Sequence, residues 1–452
     1  MDITTHADGT MGIDRYHYAV YAKRNLAVDT PVVTAIPKAA CLSARTCSVA
    51  ETLREARLGG GLALNIAIMH ERSLGEGSRW AGYFAVLPAR GERTLPMFWT
   101  SAQLEHLRGT DLLRHVTEDA ESMRLDFGEN VVDGLCVTHP ASFPPGKHTL
   151  EAYMEAASLA ASRAFFIGEE CGEALVPWAD MFNHKTDGEH VHVLGADDDD
   201  DDDDDDEEEG ESEEEESEEE ESEEENEQNE QNEQNEQNEE EEEEEEKEGP
   251  IEPPTGSLVI HACAPAEKGD ELFNTFGQQN NASLLHKYGF CELRNAYTNV
   301  CVDVALVEDV VGGTKVRDAA AELGVDVADD EYFEIEPDGT IEEALLAVLG
   351  RAHRGEDEED DPTTESPDVQ ASLRTILERR AAMYVGKGKG KGEESGAFPR
   401  GIDDGGSVRY AVPAGGGAVG VDAARVLRDA ELGLLRLAIE RNCGVGNKRR
   451  RV

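Results

Sequence analysis

The sequence predicts an α+β fold on three observations. Two blocks of short, alternating, Val- and Tyr-rich segments flank a block of helical periodicity, and the apolar residues of the C-terminal third recur at helical spacing. Residues 17–43, HYAVYAKRNLAVDTPVVTAIPKAACLS, alternate and carry turn chemistry at Asn25 and Asp29-Thr30-Pro31, so they read as short strands. From Val49 the period changes. Leu53, Ala56, Leu58, Leu62, Leu64, Ile66, Ile68 and Met69 predict helical packing, and further helices are expected over 101–107, 111–127 and 150–166. Beyond Pro253-Pro254, GSLVIHACAPAEKGDELFNTFG returns to strand-like alternation with a turn at Lys268-Gly269-Asp270. After about Val304, helices are expected over 317–323, 341–354, 369–384 and 421–442. Two low-complexity loops interrupt them, acidic 355–367 and Gly/Lys-rich 386–406. The expected organisation is one domain over 1–303, with a helical insertion over about 49–166, then a helical domain over 304–452.

The chain of 452 residues carries a formal charge of -58, but most of that charge is local. Between Asp197 and Glu248, 38 Asp or Glu and the single Lys247 contribute -37, leaving -21 for the other 400 residues. That tract has no aliphatic residue to bury and repels itself, so disorder is expected over 197–250. Loop-closure entropy grows only logarithmically with length, so the segments on either side can belong to one domain. An acidic surface disfavours phosphate contacts, so no direct nucleic-acid partner is expected, whereas basic ribosomal or histone-like proteins fit. Eight cysteines (41, 47, 136, 171, 263, 291, 301 and 443) lie dispersed without a CxxC pair or zinc spacing. Free thiols in a reducing compartment and no metal are the expectation. No apolar run approaches the roughly 20 residues of a membrane span, and MDITTHADGTMGIDRYHY lacks the basic and apolar regions of a signal peptide. A monomer in the nucleus, the cytoplasm or both, with no membrane partner, is expected. Lys448-Arg449-Arg450-Arg451 resembles a basic nuclear-import signal.

Two segments carry the chemistry. In LVPWADMFNH, residues 175–184, the apolar Leu175, Val176, Pro177, Trp178, Met181 and Phe182 are expected to be packed, yet the stretch holds Asp180 and ends on Asn183 and His184. Buried polar groups left without hydrogen bonds cost about 1 to 3 kcal/mol each, so three together point to a ligand or a dense local network. In ELFNTFGQQNNASLLHKYGF, residues 271–290, Asn274, Gly277, Asn280 and Asn281 precede a helical run over 282–288 that stops at Gly289. That run delivers the Tyr288 hydroxyl to a helix end beside Phe290.

With IPKAACLS, SRWAGYFAVLP from Ser78, LRGTDL from Leu107 and SRAFF from Ser162, these segments resemble the signature motifs of SET-domain protein lysine methyltransferases. The branch is the one typified by plant Rubisco large-subunit methyltransferase and fungal ribosomal-protein lysine methyltransferases. The resemblance covers most of residues 17–303. It implies a SET domain of short β-strands with a helical insertion and a knot-like C-terminal segment, followed by an all-α substrate-binding domain. It also implies S-adenosylmethionine as methyl donor and a protein lysine as acceptor. Carried over by residue, Asn183 and His184 would hold the donor's adenosine end, Asp180 would support that shell and Arg163 would pair with the donor's carboxylate. Tyr288 would stand at the methyl-transfer point against the donor, with Phe276 and Tyr297 lining the lysine channel. The physical logic agrees. Methyl transfer needs a neutral amine, and holding a lysine of pKa near 10.4 neutral at pH 7 costs roughly 4 to 5 kcal/mol. A narrow apolar tunnel beside a sulfonium lowers that pKa by desolvation and like-charge repulsion, without a metal.

The sequence departs from the family pattern in three places. The usual Gly-x-Gly turn near the N-terminus corresponds to the glycine-free residues 17–22, Phe276 stands where NTYG has tyrosine, and no cysteine cluster follows the motif. Plainer readings stand beside the sharp ones. Asp180 and Asn183 are readable as caps, His184 as a satisfied core histidine, Tyr288 as a buried aromatic and Arg163 as half of a structural ion pair. A catalytically inactive, chaperone-like acidic protein that holds basic partners is the competing function, and methylation of another side chain such as histidine is a third.

Overall fold

The structure is a computed structural model, and it describes residues 19–87, 95–195, 256–292, 295–327, 331–354, 366–384 and 419–443. The acidic tract, both low-complexity loops but for 366–367, residues 17 and 18 of the glycine-free turn and the C-terminal basic run lie outside these residues.

Three small sheets and a helical insertion build the first part. In the first sheet, strand β2, Pro31–Pro37, and strand β7, Val191–Gly195, flank strand β8, Ser257–Ala262. Central β8 alternates half-buried and buried residues, whereas β2, with proline at each end and two register shifts, suits an edge, where a missing N–H donor costs least. In the second, strand β5, Glu173–Leu175, lies between strand β3, Leu42–Ser43, and strand β4, Ala164–Phe166. In the third, strand β9, Glu271–Asn274, lies between strand β1, Val20–Tyr21, and strand β6, Asn183–His184.

The helical insertion packs two of its long helices, Gly60–Leu74 and Leu150–Arg163, against each other and under β3 and β5. The first buries Leu64, Ile66, Ile68 and Met69, each side chain contributing about 1.5 to 3 kcal/mol when fully removed from water. Thr149 opens the second by accepting the Ala152 N–H at 3.2 Å, a cap of about 1 kcal/mol. The helix expected over 150–166 stops at Arg163, because Ala164 turns extended (ψ 149°) and Phe165 pairs with Ala174 across a hairpin. Sheet pairing there outweighs the continuing apolar pattern.

The motif echoes hold these parts together. The Trp80 ring N–H donates to Ala40 O at 2.9 Å and Arg79 to Ala39 O at 2.7 Å, so SRWAGYF is clamped onto IPKAACLS. Glu71, almost fully buried, accepts from the Ser48 N–H at 2.7 Å and the Ser78 hydroxyl at 2.6 Å.

Among the described residues, five helices form most of the C-terminal part: Val304–Val311, Gly313–Leu323, Glu343–Ala352, Pro367–Ala382 and Val419–Cys443. An antiparallel pair joins them, strand β10, Val300–Asp303, with strand β11, Tyr332–Ile335. Val300 and Val302 belong to the same core as Leu345, Leu349, Ile376 and Leu435, so β10 packs with the helices that follow it. The LRGTDL motif receives this part. Buried Arg380 donates to Cys301 O at 2.7 Å and Gly109 O at 2.5 Å and to both Asp111 carboxylate oxygens at 3.1 Å. Gly109 has φ +88°, and a Cβ there would lie 2.6 Å from the Tyr384 Cα. Among the described residues no helix is long and apolar enough to cross a membrane.

Candidate active site

Strands β6 and β9 run parallel, setting Asn183 opposite Phe273 and His184 opposite Asn274. This pairing brings the two signature segments together across 90 positions. The Lys185 N–H continues it to Asn274 O at 3.1 Å, and the Asn183 amide donates to Glu271 Oε1 at 2.6 Å.

A stack of rings forms one wall. His184 lies against Phe276, centroids 4.8 Å apart and planes 19° apart, and Phe276 lies against Tyr288 at 4.5 Å and 23°. Phe290 flanks both ends, 6.1 Å from His184 and 6.4 Å from Tyr288. Such offset ring pairs add about 0.5 to 1.5 kcal/mol beyond their burial. The backbone delivers Tyr288 through a wide turn. Asn280 caps the short helix Asn281–Ser283, accepting the Ser283 N–H at 2.8 Å, and residues Leu284–Tyr288 then widen into a π turn closed by Gly289 N–H to Leu284 O at 3.0 Å. Gly289 takes φ +83°, which a side chain would resist. Leu285, on the back of the turn, packs into a cluster with Leu107, Leu112, Cys291 and Leu427, and the His286 ring meets Asp119 Oδ2 at 3.1 Å. No described residue hydrogen-bonds the Tyr288 hydroxyl, and burial raises its pKa above the usual phenol value, so it stays a neutral O–H in ordinary buffers.

A polar corner lies just before β6 in the chain. The Asp180 side chain is fully buried and takes the Tyr83 hydroxyl at 2.6 Å and Arg163 Nη1 at 3.1 Å on Oδ2, while Arg163 also reaches Asp180 O at 2.9 Å. Its other oxygen, Oδ1, is buried with no hydrogen-bond partner among the described residues. Burial raises the Asp180 pKa, with Arg163 opposing, and pushes the Tyr83 phenol well up.

The expected residues thus form two groups, Arg163 with Asp180 and His184 with Phe276 and Tyr288, whose nearest members, Asp180 and His184, lie four chain positions apart. Tyr297 stands apart from the stack. Its hydroxyl donates to Asp187 Oδ1 at 2.8 Å, and that hydrogen bond raises its pKa. One expectation fails. Trp178 is 47% exposed, with φ +82°, because the chain leaving β5 must reverse to bury Ala179 and Met181 on the opposite side. Four residues went unsignalled: Tyr83, Thr186, Glu271 and Glu292. Tyr83 lies inside the SRWAGYF echo, Glu271 opens the second signature segment, and Thr186 and Glu292 each lie two positions past a signature segment, so position relative to the motifs was the available signal. Among the described residues no cluster of three or more His, Cys, Asp or Glu has metal-holding geometry.

No family model matches the chain. Its sequence is 28% identical over 300 residues to N-lysine methyltransferase SETD6 of Bos taurus, covering 63% of this chain and 53% of that protein. It is 26% identical over 299 residues to N-lysine methyltransferase SETD6 of Homo sapiens, covering 62% and 50%. The chain spans about half the length of the curated relatives it matches. The solved structure "Crystal structure of the SET domain of LSMT bound to Lysine and AdoHcy" matches with TM-score 0.60 and 16% identity, covering 98% of this chain and 87% of that one. "Structure of Rubisco LSMT bound to AdoMet" matches with TM-score 0.57 and 17% identity, covering 93% and 84%.

Proposed function

We propose, from the premise that this chain is a SET-domain protein of the Rubisco large-subunit methyltransferase-like branch, that it is an S-adenosylmethionine-dependent protein-lysine N-methyltransferase. The observation that carries the reading is the parallel β6–β9 pair, which joins a polar corner to an aromatic wall in one short stretch of backbone. The residues fit the donor. A buried carboxylate oxygen with no hydrogen bond among the described residues lies beside a guanidinium that bonds those residues through Nη1, and an amino acid end offers an ammonium and a carboxylate to such a pair. Arg163 and Asp180 would bind that end, and Asn183 and His184 the adenosine end. When bound, the donor supplies an electrophilic methyl on a positively charged sulfur.

The chain's own residues do the rest. Phe276 and Tyr288 wall the entry of the acceptor with apolar surface, which disfavours an ammonium and favours the neutral amine. The Tyr288 hydroxyl, neutral and with no hydrogen bond to a described residue, orients the amine nitrogen toward the methyl. Tyr297, tethered to Asp187, lines the outer channel. A basic protein of ribosomal or histone type is the substrate, supported by the net charge of -58, and a place in the nucleus, the cytoplasm or both goes with it, supported by eight free thiols. Calorimetric titration with S-adenosylmethionine, followed by labelled-methyl transfer in cell extract, tests this. Saturable binding and a labelled protein band whose label survives as methyl-lysine on hydrolysis are expected. No heat of binding, or label recovered on another side chain, would overturn it.

A further inference from the structure

Glu292 is a buried carboxylate, 6% exposed, that the proposed reaction does not use, and it stands at the end of a directional chain of hydrogen bonds. The Thr186 hydroxyl donates to Glu292 Oε2 at 2.7 Å. A hydroxyl has one proton, so toward His184 Nε2, 3.0 Å away, Thr186 offers only lone pairs, and Nε2 must be the protonated nitrogen. His184 Nδ1 is then bare, and it accepts the Phe276 backbone N–H at 3.0 Å. Phe276 in turn stacks between His184 and Tyr288.

Resting on the methyltransferase reading, we infer that Thr186 and Glu292 are positioning residues for Tyr288, acting through the tautomer of His184. An ionised carboxylate only accepts, which fixes the direction of every bond in the chain. Were the imidazole proton on Nδ1, it would face the Phe276 N–H. The bond between the two motifs would become a repulsion, and the ring that supports Tyr288 would move. Glu292 is tied into the segment it positions: its backbone N–H donates to Asn281 Oδ1 at 2.8 Å, its carbonyl accepts from Asn281 Nδ2 at 2.9 Å, and Oε2 also takes Asn295 Nδ2 at 3.3 Å. The carboxylate thereby links residues following β6 to residues beside the Tyr288 turn.

Three full-length variants separate positioning from mere support. Thr186→Val removes the hydroxyl at constant shape, Thr186→Ser keeps it, and Glu292→Gln lets an amide N–H turn the chain around. Nitrogen NMR of histidine-labelled protein, with the His184 signals assigned by their loss in His184→Gln, reads the tautomer without donor or substrate. The wild type and Thr186→Ser should show His184 protonated on Nε2 alone, and Thr186→Val and Glu292→Gln should lose that pattern. With protein substrate, those two variants should lose roughly ten- to a hundredfold in kcat, while Thr186→Ser keeps its rate. A wild-type His184 protonated on Nδ1, a pattern indifferent to Thr186, or a shifted tautomer with unchanged kcat would each overturn the inference. A tautomer that responds as described in a chain that methylates nothing would overturn the enzymatic reading instead.

Discussion

Tyr288 is placed by packing and backbone, since its ring lies 4.5 Å from Phe276 and its hydroxyl has no bond to a described residue. Tyr288→Phe should therefore fold normally and hold S-adenosylmethionine with a Kd within about twofold of wild type, yet lose about a hundredfold in kcat as the amine loses its orienting partner. Equal losses in kcat and donor affinity would assign the hydroxyl to donor binding instead. Phe276→Tyr adds a hydroxyl beside Tyr288 that can hold a partly methylated amine and narrows the space around it. Mass spectrometry of the product should show fewer methyl groups per lysine, and the same product state from both forms would refute the assignment. At this scale the motifs exposed the aromatic and acidic residues but not their anchors. Tyr83 reaches Asp180 across 97 positions and Thr186 reaches Glu292 across 106, and no local pattern encodes a partner that distant. Trp178 misleads because apolar character predicts burial only on average, and the turn that buries its neighbours leaves its indole outside.

Among the elements, the π turn at Leu284–Tyr288 and the tight glycine at 109 decide geometry. The stop at Gly289 was legible, because a glycine that ends a helix signals a left-handed residue, and φ +83° is what the chain adopts. The widening of the turn was not legible, since apolar spacing over seven residues does not separate a π turn from an α turn. Gly109 shows how a motif residue can serve docking. Gly109→Ala would push a Cβ to 2.6 Å from the Tyr384 Cα and 2.7 Å from its nitrogen, at a φ of +88° that alanine resists. Backbone cannot rotate away as a side chain can, so a loss of about 3 kcal/mol in unfolding free energy is expected, measurable by urea denaturation. A loss below about 0.5 kcal/mol would show that the helix ending near Tyr384 docks loosely.

For the whole molecule, a buried ionic seam joins the strand-rich and C-terminal parts, and its charge state depends on pH. Glu431 accepts the Tyr384 hydroxyl at 2.7 Å and faces Arg380, Arg428 and Asp111, and burial raises its carboxyl from an ordinary 4.5 to about 8. The unfolded carboxyl ionises first, so stability present below pH 4.5 is lost progressively as pH climbs to about 8 and then levels off. Glu431→Gln cannot ionise. Its thermal midpoint relative to wild type should rise steadily between those two pH values, and a difference constant across pH 5 to 8.5 would place the carboxyl's pKa elsewhere. The strand segments, the helices between them and the helices of the last third were legible from periodicity. The membership of β10 in the second core was not, because an alternating VCVD reads as a strand without saying which neighbour it joins. The β7–β8 pair carries one further consequence. Gly195 stands in register with Leu258, so residues 196–257, most of them acidic, begin and end at adjacent points of one sheet. Antiparallel partners sit about 5 Å apart, which makes this hairpin mouth a ready port. A reporter protein whose own termini lie close together can be spliced there, turning the chain into a sensor without disturbing either motif.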